Sequence, residues 1–168
     1  MKNSILKNKN ILAVGTQIDL LRSVKGKIQT TCPECRCDTA TTLGNGRQMM
    51  LMITYNLIIL DMVNTLWNNL VDLAANREFP VLALSDKESL EETMHGSQSA
   101  IIRAAVPREN LNIIVPTVEE VLRREKMSGL RRSLEKSWRF MMKLGPGYQY
   151  ISEKMHNHQG GKSFYIYY

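Results

Sequence analysis

The feature that most restricts the fold is an order of elements in the second half of the chain. Phe79 to Leu84 (FPVLAL) is an apolar run of strand length, followed at once by Ser85 with Glu88 three residues on. A hydroxyl at the N-cap and a carboxylate at N3 satisfy free amides reciprocally, so a helix is expected to begin near Asp86. It pauses at Gly96 and resumes through Ala100 to Ala105, until Pro107 stops it. Leu111 to Val115 (LNIIV) is a second strand candidate, and Thr117 with Glu120 repeats the capping pattern. Strand, helix, strand, helix is the order of a parallel βα unit, and the distance from Phe79 to Val115 suits a right-handed crossover. A full doubly wound sheet needs further strands, from Ile11–Leu21, which has the character of a strand running into a short helix, or from Ser163–Tyr168.

Such sheets take ligands at the carboxyl ends of their strands, which here would place Ser85, Asp86, Pro116 and Thr117 at a site. No Gly-rich phosphate loop accompanies them, and helix capping is a sufficient account of these residues. An α/β enzyme fragment with a ligand site after its strands is therefore a third-ranked reading.

Charge is distributed unevenly. The chain carries 22 Lys and Arg against 16 Asp and Glu, a net +6. Eight of the basic residues and only two of the acidic ones lie between Val121 and Lys143, so the rest of the chain is neutral. From Met127 onward, Met127, Leu130, Leu134, Trp138 and Met141 share one side of a helix, and Arg132, Lys136, Arg139 and Lys143 share the other. Before Met127 the stripe is out of phase, because Val118, Val121 and Leu122 lie on the side that later carries charge. A break at Ser128-Gly129 is the expected solution, with Gly145-Pro146-Gly147 ending the second helix. The basic face could lie along a phosphate backbone, with Tyr148 and Tyr150 available to stack on bases. More often such a run is simply the solvated face of an amphipathic helix.

Upstream, Ile59, Val63, Leu66, Leu70 and Leu73 recur at spacings of 4, 3, 4 and 3, which predicts an amphipathic helix over residues 57–73. Packing on its own core is the expected role, and a dimer through this face is the alternative. Met49 to Leu60 is apolar, but Asn56, Asp61, Asn64 and Asn68 interrupt before about 20 residues accumulate, so no membrane span is expected. Gly44-Asn45-Gly46 reads as a tight turn.

Three cysteines, Cys32, Cys35 and Cys37, fall within six residues. An odd, clustered set suits no disulfide framework and points to a reducing, cytoplasmic or nuclear setting. Cys32-Pro33-Glu34-Cys35 has the C-x-x-C spacing at which two thiolates reach one tetrahedral zinc ion. The remaining ligand candidates are Cys37, His95, His156 and His158. A thioredoxin-type redox pair fits less well, because the motif does not open a helix after a strand.

Thr31-Cys32-Pro33-Glu34-Cys35-Arg36 resembles the final ligand pair of a RING finger, and the continuation through Leu43-Gly44-Asn45-Gly46 and Tyr55-Asn56-Leu57-Ile58 is similar to the segment after the RING in tripartite-motif-type ubiquitin ligases. The resemblance spans about residues 31–66. It implies that Cys32 and Cys35 hold zinc, that Pro33 faces a ubiquitin-conjugating enzyme, and that Arg36 bridges that enzyme and ubiquitin through its guanidinium fork. Met1 to Thr31 contains no Cys or His, so the implied module is truncated or divergent, and ubiquitin-protein transfer would require the ligand set to be completed.

The expected fold class is thus α+β and helix-rich: a degenerate RING-like segment (1–48), an amphipathic helix and linker (49–76), a βαβα-like region with the basic helix (77–147), and a tail (148–168). The leading functional expectation is a divergent RING-type, zinc-binding protein-interaction module related to ubiquitin ligation. The alternative is a small α/β protein that binds nucleic acid or another polyanion through Arg132, Lys136, Arg139 and Lys143.

Overall fold

A strand that is apolar at every position has to be covered on both faces. Leu57-Ile58-Ile59-Leu60 is such a run, and the computed structural model, which describes residues 4–62, 68–86 and 101–143, places it at the centre of a parallel sheet. The strands are β1 (Asn10–Val14), β2 (Arg36–Ala40), β3 (Leu57–Asp61), β4 (Val81–Ser85) and β5 (Ile102–Pro107), side by side in the order β2-β1-β3-β4-β5. All four pairings are parallel. The helices among the described residues are α1 (Ile18–Thr31), α2 (Leu43–Met52), α3 (Asn68–Asn76) and α4 (Ile114–Lys143), the last preceded by a 3-10 turn at Leu111–Ile113.

The two-residue period of the strands divides the core into two layers. Ile11, Ala13, Leu57, Ile59, Leu82, Leu84 and Val106 point to one face, where Leu21, Val24 and Ile28 of α1 and Ile114, Val118, Val121 and Leu122 of α4 cover them. Leu12, Val14, Ile58, Leu60, Val81 and Ala83 point to the other, under Met50 of α2 and Leu70, Val71 and Ala74 of α3. Each helix offers the sheet residues spaced three or four apart, the spacing that keeps them on one side.

This architecture overturns the α+β, RING-like expectation. Residues 31–40 end α1 and form β2 of the same sheet as β3, β4 and β5. The amphipathic-helix reading of 57–73 fails because Leu57–Asp61 is the buried central strand; α3 is described from Asn68, and Val63 and Leu66 lie outside the described residues. Gly44-Asn45-Gly46 is the start of α2 and not a turn. Thr42 caps it by accepting the Asn45 N–H at 3.2 Å, and a Cβ on Gly46 would stand 3.0 Å from Val14 Cγ1, so a bare backbone lets the helix approach the sheet.

The βαβα reading is displaced along the chain. Phe79–Leu84 does contain a strand, but the next described strand is Ile102–Pro107, expected as helix, while Leu111–Val115, expected as strand, is a 3-10 turn passing into α4. A five-residue apolar run has no period of its own, and Ile114, Val118, Val121 and Leu122 supply a helical one once extended downstream. Thr117 lies inside this helix and donates its hydroxyl to Ile113 O at 2.7 Å. Pro116 is tolerated in the first turn, where its missing N–H has no partner to lose. The helix expected after Ser85, with Glu88 and Gly96, lies outside the described residues, as do His95, the glycine stop at 145–147, Tyr148, Tyr150, His156, His158 and the Ser163–Tyr168 strand candidate.

No break occurs at Ser128-Gly129, since α4 is continuous from Ile114 to Lys143. The phase change marks a change of surroundings: up to Leu122 the helix buries residues against the sheet, whereas from Lys126 to Arg139 every side chain is exposed, so no basic residue is forced inside. The chain divides into two compact units, Met1–Glu125 and Lys126–Tyr168. Among the described residues no helix is long and apolar enough to cross a membrane.

Candidate functional site

An open parallel sheet in the order 2-1-3-4-5 presents ligands with a crevice at the carboxyl ends of β1 and β3, where the winding direction reverses. In this chain that edge is built by Gly15 after β1, Asp61 at the end of β3, Ser85 and Asp86 at the end of β4, and Pro107 and Arg108 at the end of β5. Main-chain bonds hold the edge in register: Gly15 N–H donates to Ala40 O at 3.1 Å, Met62 N–H to Leu84 O at 2.8 Å, and Arg108 N–H to Ser85 O at 3.1 Å.

Asp61 is the chemical centre of this edge. Its side chain is 2% exposed, and Arg108 Nη2 donates to its Oδ2 at 2.6 Å. The same guanidinium stands 3.7 Å from Asp86 Oδ1 through Nη1. Asp61 Oδ1 and Arg108 Nε are buried and make no hydrogen bond in the structure, so the pair is held through one nitrogen and not through a two-pronged fork. Gly15 completes the packing. A Cβ at residue 15 would lie 2.7 Å from Asp61 Cβ, closer than Cβ atoms approach other atoms in proteins, and 3.0 Å from its Oδ2. Gly15→Ala is accordingly expected to lower stability by about 1–3 kcal/mol, the usual cost of overpacking, measured by urea denaturation; an unchanged midpoint would contradict this packing.

The donor set at this edge does not suit a divalent cation. Magnesium ions are held by one or two carboxylates with water and further oxygens. Here Gly15 brings no side chain, Thr16 brings a neutral one, and the two carboxylates of the edge, Asp61 and Asp86, already face the same guanidinium. Among the described residues no group of three or more His, Cys, Asp and Glu side chains could hold a metal ion.

The residues expected to bind zinc lie at the opposite end of the sheet. Cys32 caps α1 with its N–H on Ile28 O at 2.9 Å, and Cys35 N–H donates to Cys32 O at 3.0 Å in the turn before β2. All three cysteines are buried in the α1-side core with Leu6, Ile11 and Ile28. Cys35 Sγ lies 3.5 Å from Lys9 O, as a thiol donor would. Burial, reinforced by Cys32, pushes the Cys35 thiol up to about 11, and burial, reinforced by Cys35, pushes Cys37 up to about 12. Among the described residues these three cysteines are joined by no further His, Cys, Asp or Glu side chain in a group that could hold a metal ion. The zinc expectation, and the RING finger built on it, are therefore corrected: these cysteines behave as small core residues.

Pro33 is exposed in the turn between α1 and β2. Arg36 is exposed at the start of β2, with its Nε 3.0 Å from Asp38 Oδ2, and Asp38 also accepts the Tyr55 hydroxyl at 3.0 Å. Arg132, Lys136 and Arg139 are exposed on α4, and Lys143 is its last described residue. Neither Pro33 nor Arg36 belongs to the Asp61 edge. Sequence reasoning misses Asp61 and Arg108, which make that edge. A carboxylate closing a continuous apolar run is their available signal, whereas the hydropathy pattern treats Asp61 only as an interruption.

Comparison with solved structures agrees with this geometry. An adenylate cyclase from Rhodopirellula baltica superposes with a TM-score of 0.65 at 14% identity over 77% of this chain and 98% of its own. The Francisella response regulator 1452 receiver domain gives 0.60 at 16% identity, over 70% and 99%. A response regulator from Thermotoga maritima, solved in complex with Mg(2+)-BeF, gives 0.51 at 16% identity, over 69% and 97%. No protein-family model matches the chain, and no curated protein matches it in sequence. The fold is thus receiver-like, a five-stranded parallel α/β sheet. The neighbours lend no support to a tripartite-motif segment, to ubiquitin transfer, or to nucleic-acid binding through the basic helix.

Proposed function

We propose that this chain is a receiver-like regulatory domain that works through protein contact, with its ligand edge closed by an internal ion pair. The observation that carries the reading is the 2.6 Å bond from Arg108 Nη2 to Asp61 Oδ2. The Thermotoga neighbour was solved in complex with Mg(2+)-BeF, and a comparable ligand here would have to displace a guanidinium from a buried carboxylate. Separating such a pair leaves the buried carboxylate without compensation in a poorly solvated place, a cost of several kcal/mol. The geometry of the edge therefore favours one fixed electrostatic state over a metal-dependent, switchable one.

The test is an amide-resonance titration of the full chain with magnesium and beryllofluoride together. The expected result is no saturable shift at Gly15, Asp61, Met62 or Ser85. Saturable shifts confined to those residues would show that the edge opens to a metal and a phosphoryl mimic, and would overturn the proposal.

A further inference from the structure

The second half of α4 carries an apolar stripe that stands in solvent. Met127, Leu130, Leu134 and Trp138 are 63%, 52%, 71% and 53% exposed. At 3.6 residues per turn they fall within an arc of about 80°. Their spacings of 3, 4 and 4 repeat after about 11 residues, a period close to that of the helix itself, so the stripe runs nearly parallel to the axis. Exposed side chains this large, contiguous on one face, are characteristic of an interaction surface.

The placement of charge decides what covers it. Arg132, Lys136 and Arg139 are centred on the face opposite the stripe. On one flank of the stripe Arg131 is paired with Glu135 at 3.3 Å, four residues apart on the same helix. If the stripe lay on an anionic lipid surface, the basic face would point away from it. A helix is about 10–12 Å across, and the screening length at physiological salt is about 8 Å, so those charges would add little to adsorption. A polyanion on the basic face would leave the stripe bare. Two copies of the helix meeting stripe to stripe bury all four apolar side chains from each and turn both basic faces outward, about two helix diameters apart and beyond effective repulsion.

We infer that residues Met127–Trp138 of α4 form a self-association face, occupied by the same face of a second copy of this chain. This inference does not depend on the state of Asp61. Its test is light scattering and sedimentation of the full chain across a concentration series. The native chain is expected to move toward about twice its 19.2 kDa mass as concentration rises. Leu130→Glu with Leu134→Glu is expected to remain monomeric with an unchanged circular-dichroism spectrum, because both positions are exposed and outside the core. Arg132→Glu with Lys136→Glu, on the far face, should associate as the native chain does.

A native chain that stays monomeric up to its solubility limit overturns the inference, as does association that survives the Leu130 and Leu134 changes or is lost with the Arg132 and Lys136 changes. Cosedimentation of a monomeric native chain with phosphatidylserine vesicles would assign the stripe to a lipid surface instead.

Discussion

Arg108→Ala is expected to lower the stability of the folded chain by about 3–5 kcal/mol, the loss that follows when one partner of a buried ion pair is removed. The cause is the carboxylate left behind. Asp61 is buried, and its Oδ1 makes no hydrogen bond in the structure even in the presence of the arginine. Burying an isolated charge is far more costly than burying a neutral amide with an imperfect partner. Adding Asp61→Asn to Arg108→Ala should therefore recover part of the loss, and the double variant should be more stable than Arg108→Ala alone. Urea denaturation of the native chain, both single variants and the double variant closes the cycle. A loss below about 1 kcal/mol for Arg108→Ala would place this pair with ordinary surface salt bridges and remove the main support for a closed ligand edge.

The second large effect is expected in alkali. Burial raises Cys35 to about 11 and Cys37 to about 12, and burial together with the bond to Asp38 raises the Tyr55 hydroxyl as well. In the unfolded chain a thiol ionises near its ordinary value of about 8.5. Between that value and the folded ones, the native state holds more protons than the unfolded state, so stability falls as pH rises through this window. The stabilising contribution is fully present below about pH 8.5 and is lost by about pH 12. The combined effect of the two thiols is on the order of a few kcal/mol, since each tenfold change in proton affinity corresponds to about 1.4 kcal/mol. Denaturation midpoints measured from pH 7 to 11 should decline, and Cys37→Ala should flatten the decline. A flat profile in the native chain would mean that the thiols are not held protonated by the core.

Several elements are legible in the residues themselves. The passage from strand to helix over Ile11–Leu21 is there as β1 and the start of α1, and FPVLAL holds all of β4 but its last residue, Ser85. Other segments mislead for a common reason. In a parallel sheet covered on both faces, strands lose the alternation that distinguishes them, and the apolar spacing that continues from Leu57 toward Leu73 passes equally well for a helix. Ile102–Pro107 suffers the reverse ambiguity, because the alanines of IRAAVP favour a helix locally and the sheet overrides them. The cysteines show the same limit in chemistry. C-x-x-C describes two thiols in a tight turn, and whether they meet a metal or a core depends on what else is packed there.

The residues by themselves determine that the positive charge is local, that Leu130, Leu134 and Trp138 share one side of a helix with Arg132, Lys136 and Arg139 on the other, and that several short apolar runs need burial. Those are properties of neighbours in the chain, governed by helical and strand periods of a few residues. Tertiary structure alone decided the rest. Asp61 and Arg108 are 47 residues apart, and they meet because β3, β4 and β5 pair in parallel and end on one edge. Cys35 and Cys37 are inert because α1 and the sheet close over them. Both outcomes are set by burial and by which strands lie side by side, and neither quantity is carried by any local pattern of residues.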